Sequence, residues 1–183
     1  CLRPGRRRWR DLDWCAGDAV HIRALEPHET ALHRALRLRA LRDAPDCFSD
    51  NYAAALAQPM SYWEDLTRSV TDPQGQVMFL ACEAEQVLGS AYALLEREDA
   101  RAGRVGGMWV QPQSRRQGVA RALLAQVLCW ARKRRLASLC LWAPANRGAA
   151  IDLYCQAGFS ETGRAECLPS RPALRVVEMC LSP

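Results

Sequence analysis

The chain has 183 residues, 49% hydrophobic and 25% charged, with a net charge of +5 and a mean hydropathy of −0.23. That is the length and balance of one globular domain with a sizeable core. No apolar run approaches the roughly 18 residues a membrane span needs, so no membrane partner is expected.

Almost all the basic residues are arginines, Lys133 being the only lysine. Arginine number alone therefore reads as codon bias rather than as a nucleic-acid surface. A cluster at Arg3, Arg6, Arg7, Arg8 and Arg10 marks residues 1–18 as an Arg-rich extension. It is expected to be poorly ordered, with a single domain over 19–183. An arm touching nucleic acid or an acidic partner is the competing reading of that stretch, and nucleic acid is not the expected partner. The nine cysteines form no C-x-x-C pair and have no histidine at metal-ligand spacing, so no metal is expected. Most fall in apolar patterns, where a thiol behaves as a small hydrophobe. Buried free thiols in a reducing cytoplasm are the expectation, rather than a disulfide set.

In chain order, residues 19–25 alternate and read as a first strand. Leu32, Leu36 and Leu41 fall at near-helical spacing, and Pro45 ends that helix. A broken helical region follows, interrupted near Pro59. Residues 77–86, 87–96 and 104–112 read as three strands of an antiparallel meander. A helix is expected from about Arg116 to Arg135, with Val119, Leu123, Leu124, Val127, Leu128 and Ala131 on one face. Residues 137–144 make a fifth strand and 148–157 a short helix. Two strands close the chain as a hairpin.

Two junctions carry chemistry. In the first, Val110-Gln111-Pro112 ends a strand, and Arg115, Arg116, Gln117, Gly118, Val119 and Ala120 lead into the long helix. A helix N-terminus offers free N–H groups and the positive end of the dipole to an anion. Gly118 lets the backbone come close to a ligand, Ala120 keeps the next inward position small, and arginine suits phosphate oxygens. A helix start with solvated arginines is the alternative. In the second junction, Asn146 follows a strand, Tyr154 lies on the next helix, and Gly158-Phe159 closes it. Tyr154 reads either as a packed tyrosine or as a phenol that gives a proton to a leaving group.

Together these stretches resemble the GNAT superfamily of N-acetyltransferases. The family's acetyl-CoA motif, Gln/Arg-x-x-Gly-x-Gly/Ala after Val-x-Pro, is matched at 110–120. Its later motif is matched by Asn146, Ala150, Leu153, Tyr154, Gly158 and Phe159. The resemblance implies an α/β (α+β) fold: a mixed, mostly antiparallel seven-stranded sheet, splayed between strands four and five, with about four helices. It implies acetyl-CoA as cosubstrate and a primary amine of a small molecule or peptide as acceptor, in a monomer or homodimer. Pantetheine would pair with Met108, Trp109 and Val110 as an added strand would. The pyrophosphate would meet residues 115–121, Arg121 included, with Asn146 or Arg147 also facing the cofactor. A strand-four N–H would stabilise the oxyanion, and Tyr154 would protonate the departing thiolate. Tyr52, Trp63, Glu96, Glu166 and Arg171 fall in the region expected to contact the acceptor. Gly106-Gly107 is expected to mark a bulge or close approach on strand four.

The sequence departs from the family pattern in two places. The interval from Asn146 to Tyr154 is one residue longer than the common one. The strands 104–110 and 138–144 carry no carboxylate that might act as base. The second departure keeps open an acetyl-CoA-binding regulator without turnover, beside the acetyltransferase.

Overall fold

The structure, a computed structural model, describes residues 20–146 and 148–182. The expected N-terminal extension and Arg147 lie outside the described residues. Seven strands form one sheet: β1 (His21–Ala24), β2 (Gln76–Glu83), β3 (Gln86–Leu95), β4 (Ala102–Val110), β5 (Ser138–Pro144), β6 (Ser160–Leu168) and β7 (Arg171–Leu181), in the order β1-β2-β3-β4-β5-β7-β6. Every neighbouring pair is antiparallel except β4–β5, which is parallel. A parallel pair needs a crossover, and α4 (Val119–Lys133) supplies it.

The central strands are buried on both faces, which is why β2 reads as a nearly unbroken apolar run. Phe79 and Ala81 join the core under α4, where Leu123, Leu124, Val127 and Leu128 are fully buried. Met78, Leu80 and Cys82 point to the opposite face. There they meet α1 (Thr30–Asp43), α2 (Tyr52–Leu56) and α3 (Met60–Val70), which contribute Leu36, Leu41 and Trp63. α5 (Gly148–Gln156) lies on the α4 side and adds Tyr154 to that core.

Several expectations shift. Five α-helices are described where about four were expected, with α2 and α3 lying on either side of Pro59, the expected interruption. α4 begins at Val119 rather than near Arg116, because Arg116 (φ 65°) and Gly118 (φ 84°) break the helical path. β4 stops at Val110, and Pro112 opens a 3₁₀ turn (Pro112–Ser114) instead of extending the strand. The bulge expected at Gly106-Gly107 is present. Ser90 pairs with Trp109 and Tyr92 with Gly106, so β4 carries one extra residue, and Gly107 sits at φ 60°. The Tyr92 ring lies over both glycines: a Cβ at Gly106 would come within 2.3 Å of it.

The cysteine expectation needs correcting. Cys140 and Cys180 form a disulfide. They sit directly opposite each other on antiparallel β5 and β7, with Cα atoms 4.1 Å apart. Their sequence separation of 40 hides that register. Of the described cysteines outside the disulfide, Cys82 is buried, whereas Cys155 and Cys167 are exposed.

One buried polar pair ties α1 to α3. Thr67 Oγ1 donates to the Trp63 carbonyl at 2.7 Å, so it accepts from His33 Nδ1–H at 2.9 Å. Burial, aided by Arg37, pushes the His33 pKa down to about 4 from 6.5. The unfolded chain therefore binds this proton more readily than the folded one. The associated stability is fully present above pH 6.5 and is lost as the pH falls towards 4. Denaturant titrations at pH 7 and pH 4.5 should differ by about 2 kcal/mol from this group. His33→Gln should remove that part of the difference, and an unchanged pH slope in the variant would refute the assignment.

Candidate active site

β4 and β5 pair only from Ala102↔Ser138 to Val105↔Leu141. Beyond that point β4 continues through its bulge to Val110, while β5 continues to Pro144 paired with β7 alone. The strands part, and a cleft of about 940 Å³ opens between them. Met108, Trp109 and Val110 line one wall, and Asn146 and Tyr154 line the other. The turn into α4 closes one end, bringing Arg115, Arg116, Gly118, Val119, Ala120 and Arg121 to the cleft. Gln117 is the exception among the residues expected from the sequence to face the cofactor. It is not part of the lining, and its Nε2 donates to the Gln113 carbonyl at 2.9 Å.

Local chemistry shapes the turn. Buried Gln111 donates to Ser114 Oγ at 3.0 Å and accepts from Arg39 at 3.0 Å, which pins the chain after β4. Gly118 is the N-cap of α4 in the left-handed region, and no side chain caps the first turn. No acidic residue stands there either. The N–H groups of that turn and the positive end of the dipole thus face the cleft without a carboxylate to offset them. A Cβ at Gly118 would meet nothing within 4 Å, so the space beside it is open.

Tyr154 is buried, with its ring edge-on to Phe159 at 5.9 Å between centroids. Burial first, and the neighbouring Cys47 second, push its pKa well above the usual phenol value. The hydroxyl therefore keeps its proton at any physiological pH.

The carboxylates lining the cleft are Asp43 and Asp152. Asp43, the last residue of α1, accepts from Trp109 Nε1 at 2.8 Å and pairs with Arg115. Asp43 is absent from the residues expected at the site because it ends a helix and reaches β4 across 66 residues. No local signal announces such a contact. The other acids have different roles. Glu96 pairs with Arg104 at 2.6 Å. Buried Glu178 accepts from Thr162 at 2.9 Å and Arg164 at 3.2 Å. Trp63, expected near the acceptor, is a fully buried core residue. Arg171 pairs with Asp46 at 2.7 Å, tying the β6–β7 turn to the segment after α1.

The sequence profile described as the Acetyltransferase (GNAT) family matches residues 31–159. The chain belongs to the GNAT acetyltransferase family. A relative, aminoglycoside N(6')-acetyltransferase type 1 of Stenotrophomonas maltophilia, is 33% identical over 153 residues, covering 80% of this chain and 90% of that protein. Two solved structures share the fold. Ribosomal-protein-alanine N-acetyltransferase from Brucella melitensis is 19% identical with a TM-score of 0.73, covering 89% of this chain and 99% of its own. Spermidine N-acetyltransferase from Vibrio cholerae, solved with CoA and spermine, is 17% identical with a TM-score of 0.73, covering 91% and 96%. This acetyltransferase is thus an acetyl-CoA-dependent acyltransferase acting on an amine. Among the described residues, no helix is long and apolar enough to cross a membrane.

Proposed function

We propose that the cleft between β4 and β5 is the catalytic site, with the α4 turn as pyrophosphate cradle and Tyr154 as proton donor. The observation that carries this is the opening of the sheet where an uncapped helix N-terminus and a buried, protonated phenol line one cleft. The cradle fits the group: open space over a positive-φ glycine admits phosphate oxygens close to the backbone. Arg116 and Arg121 add charge, and Met108 to Val110 offer strand edges to an extended amide arm. Acetyl-CoA supplies an activated thioester. The protein would orient it along β4 and hold a proton on Tyr154 Oη for the leaving sulfur.

The acceptor is a primary amine of a small molecule or peptide, and the site works in the cytoplasm, where acetyl-CoA is available. An acetyl-transfer screen over chemically diverse amines, read as thiol release, tests this. Thiol release with no member of a broad panel above the hydrolysis background would overturn it.

Gly118→Val places a β-branched side chain at φ 84° and fills the cradle. Acetyl-CoA affinity should drop by about tenfold or more, or ~1.4 kcal/mol. Calorimetric titration of the folded variant checks this, and unchanged affinity would sink the cradle.

A further inference from the structure

Trp109 lies in the part of β4 that has left β5, lines the cleft, and packs in the core under α1. A buried indole N–H requires an acceptor. Asp43 Oδ2 provides it at 2.8 Å. The same oxygen takes a hydrogen bond from Arg115 Nη2, while Arg115 Nε donates to the Val110 carbonyl at 3.0 Å. One turn earlier on the same helix face, Arg39 lies over the Trp109 ring at 5.4 Å and donates to Gln111 at 3.0 Å. Two side chains of α1 thus straddle one residue of β4 and brace both ends of the turn into α4.

We propose that Asp43 is a positioning residue, which fixes the free end of β4 through Trp109 and the cofactor turn through Arg115, and so sets where the thioester lies. This rests on the cleft being the catalytic site, as proposed above. The Arg115–Asp43 pair is open to solvent, with side chains 46% and 22% exposed, and pairs so placed contribute little to stability. Their effect is geometric. Arg115 has five N–H donors, two of which are used in these bonds. The guanidinium is thereby held in one orientation at the end of the cleft. Trp109, fixed by ring and N–H together, holds the β4 backbone at 108–110. A misplacement of about 1 Å at a reacting centre lowers rate by about 10²-fold. Affinity, spread along the whole cleft, is far less sensitive.

The test is a double-mutant cycle on the full-length chain with Asp43→Asn and Trp109→Phe, measuring kcat, acetyl-CoA affinity and the pH profile of kcat/KM. Asn keeps the shape of Asp43 but removes the charge facing Arg115. Phe keeps an aromatic ring at this buried position, smaller than the indole, and removes the N–H that Asp43 accepts. Asp43→Asn should lower kcat about tenfold with acetyl-CoA affinity within about threefold and the pH profile unchanged in shape. Trp109→Phe should lower kcat similarly, and the double variant should lose little more than either single one. A kcat within twofold of the parent in both single variants, or fully additive losses, overturns the proposal. Loss of one limb of the pH profile in Asp43→Asn also overturns it, since Asp43 would then be moving a proton itself. Trp109→Phe keeps the test decisive if Asp43→Asn does not fold. Gly118→Val, measured alongside, reports separately on the cleft: unchanged acetyl-CoA affinity there removes the underlying site, whatever the cycle shows.

Discussion

Tyr154→Phe is expected to lower kcat by about 10²–10⁴ while leaving acetyl-CoA affinity nearly unchanged. The substitution is clean because of where the ring sits. It is buried against Phe159 at 5.9 Å, and Phe fills the same space. Only the hydroxyl is lost. Burial and the neighbouring Cys47 hold that hydroxyl protonated across the neutral and alkaline range, so the donor is always loaded. A thiolate leaving beside Tyr154 would take its proton from that hydroxyl. The measurement is steady-state kcat with calorimetric acetyl-CoA affinity, supported by single-turnover rates that isolate chemistry from product release. A single-turnover rate within twofold of the parent would assign Tyr154 to packing alone.

The parts legible in the sequence were those set by local pattern. The apolar run from Val77 to Cys82 and the turns beside it announce a strand meander, and the leucine spacing of 123–128 announces α4 and its buried face. Gly118 was legible as a backbone special, although its left-handed conformation, with Arg116 in the same region, delayed the helix start by three residues from 116 to 119. What was hidden depends on tertiary register. Cys140 and Cys180 meet only because β7 inserts between β5 and β6. Asp43 looks like an ordinary last residue of a helix before Ala44-Pro45, and its partners lie on β4 and the following turn. Trp63 falls where an acceptor-binding aromatic was expected, yet the packing of α1 against α3 takes it inside. Element order follows from composition along the chain. The side chains that share a cleft are decided by packing.

The second large effect concerns how the acceptor loses its proton. The histidines do not line the cleft, and its carboxylates are Asp43 and Asp152. Asp43 Oδ2 already accepts from Trp109 and Arg115, and Asp152 is exposed on α5, at the rim. Asp43 is thus held by two donors, and Asp152 stands in solvent. The amine is therefore expected to lose its proton to water, either before binding or through a water chain. In that case kcat/KM should rise about tenfold per pH unit and level off near the acceptor's own pKa. A peptide α-amine, with a pKa of about 7.7–8.0, and a lysine-type amine near ~10.4 make a suitable pair. Between pH 6 and pH 9 the first should gain about 50- to 90-fold and flatten, while the second should gain about 10³-fold and keep climbing. A dedicated base would instead impose one inflection near its own pKa on both substrates. Tyr154 contributes no inflection in this range, because its proton is retained throughout. A shared inflection that disappears in Asp152→Asn or Asp43→Asn would refute deprotonation by water and identify the base. Inflections that move with the substrate place the titrating proton on the amine itself.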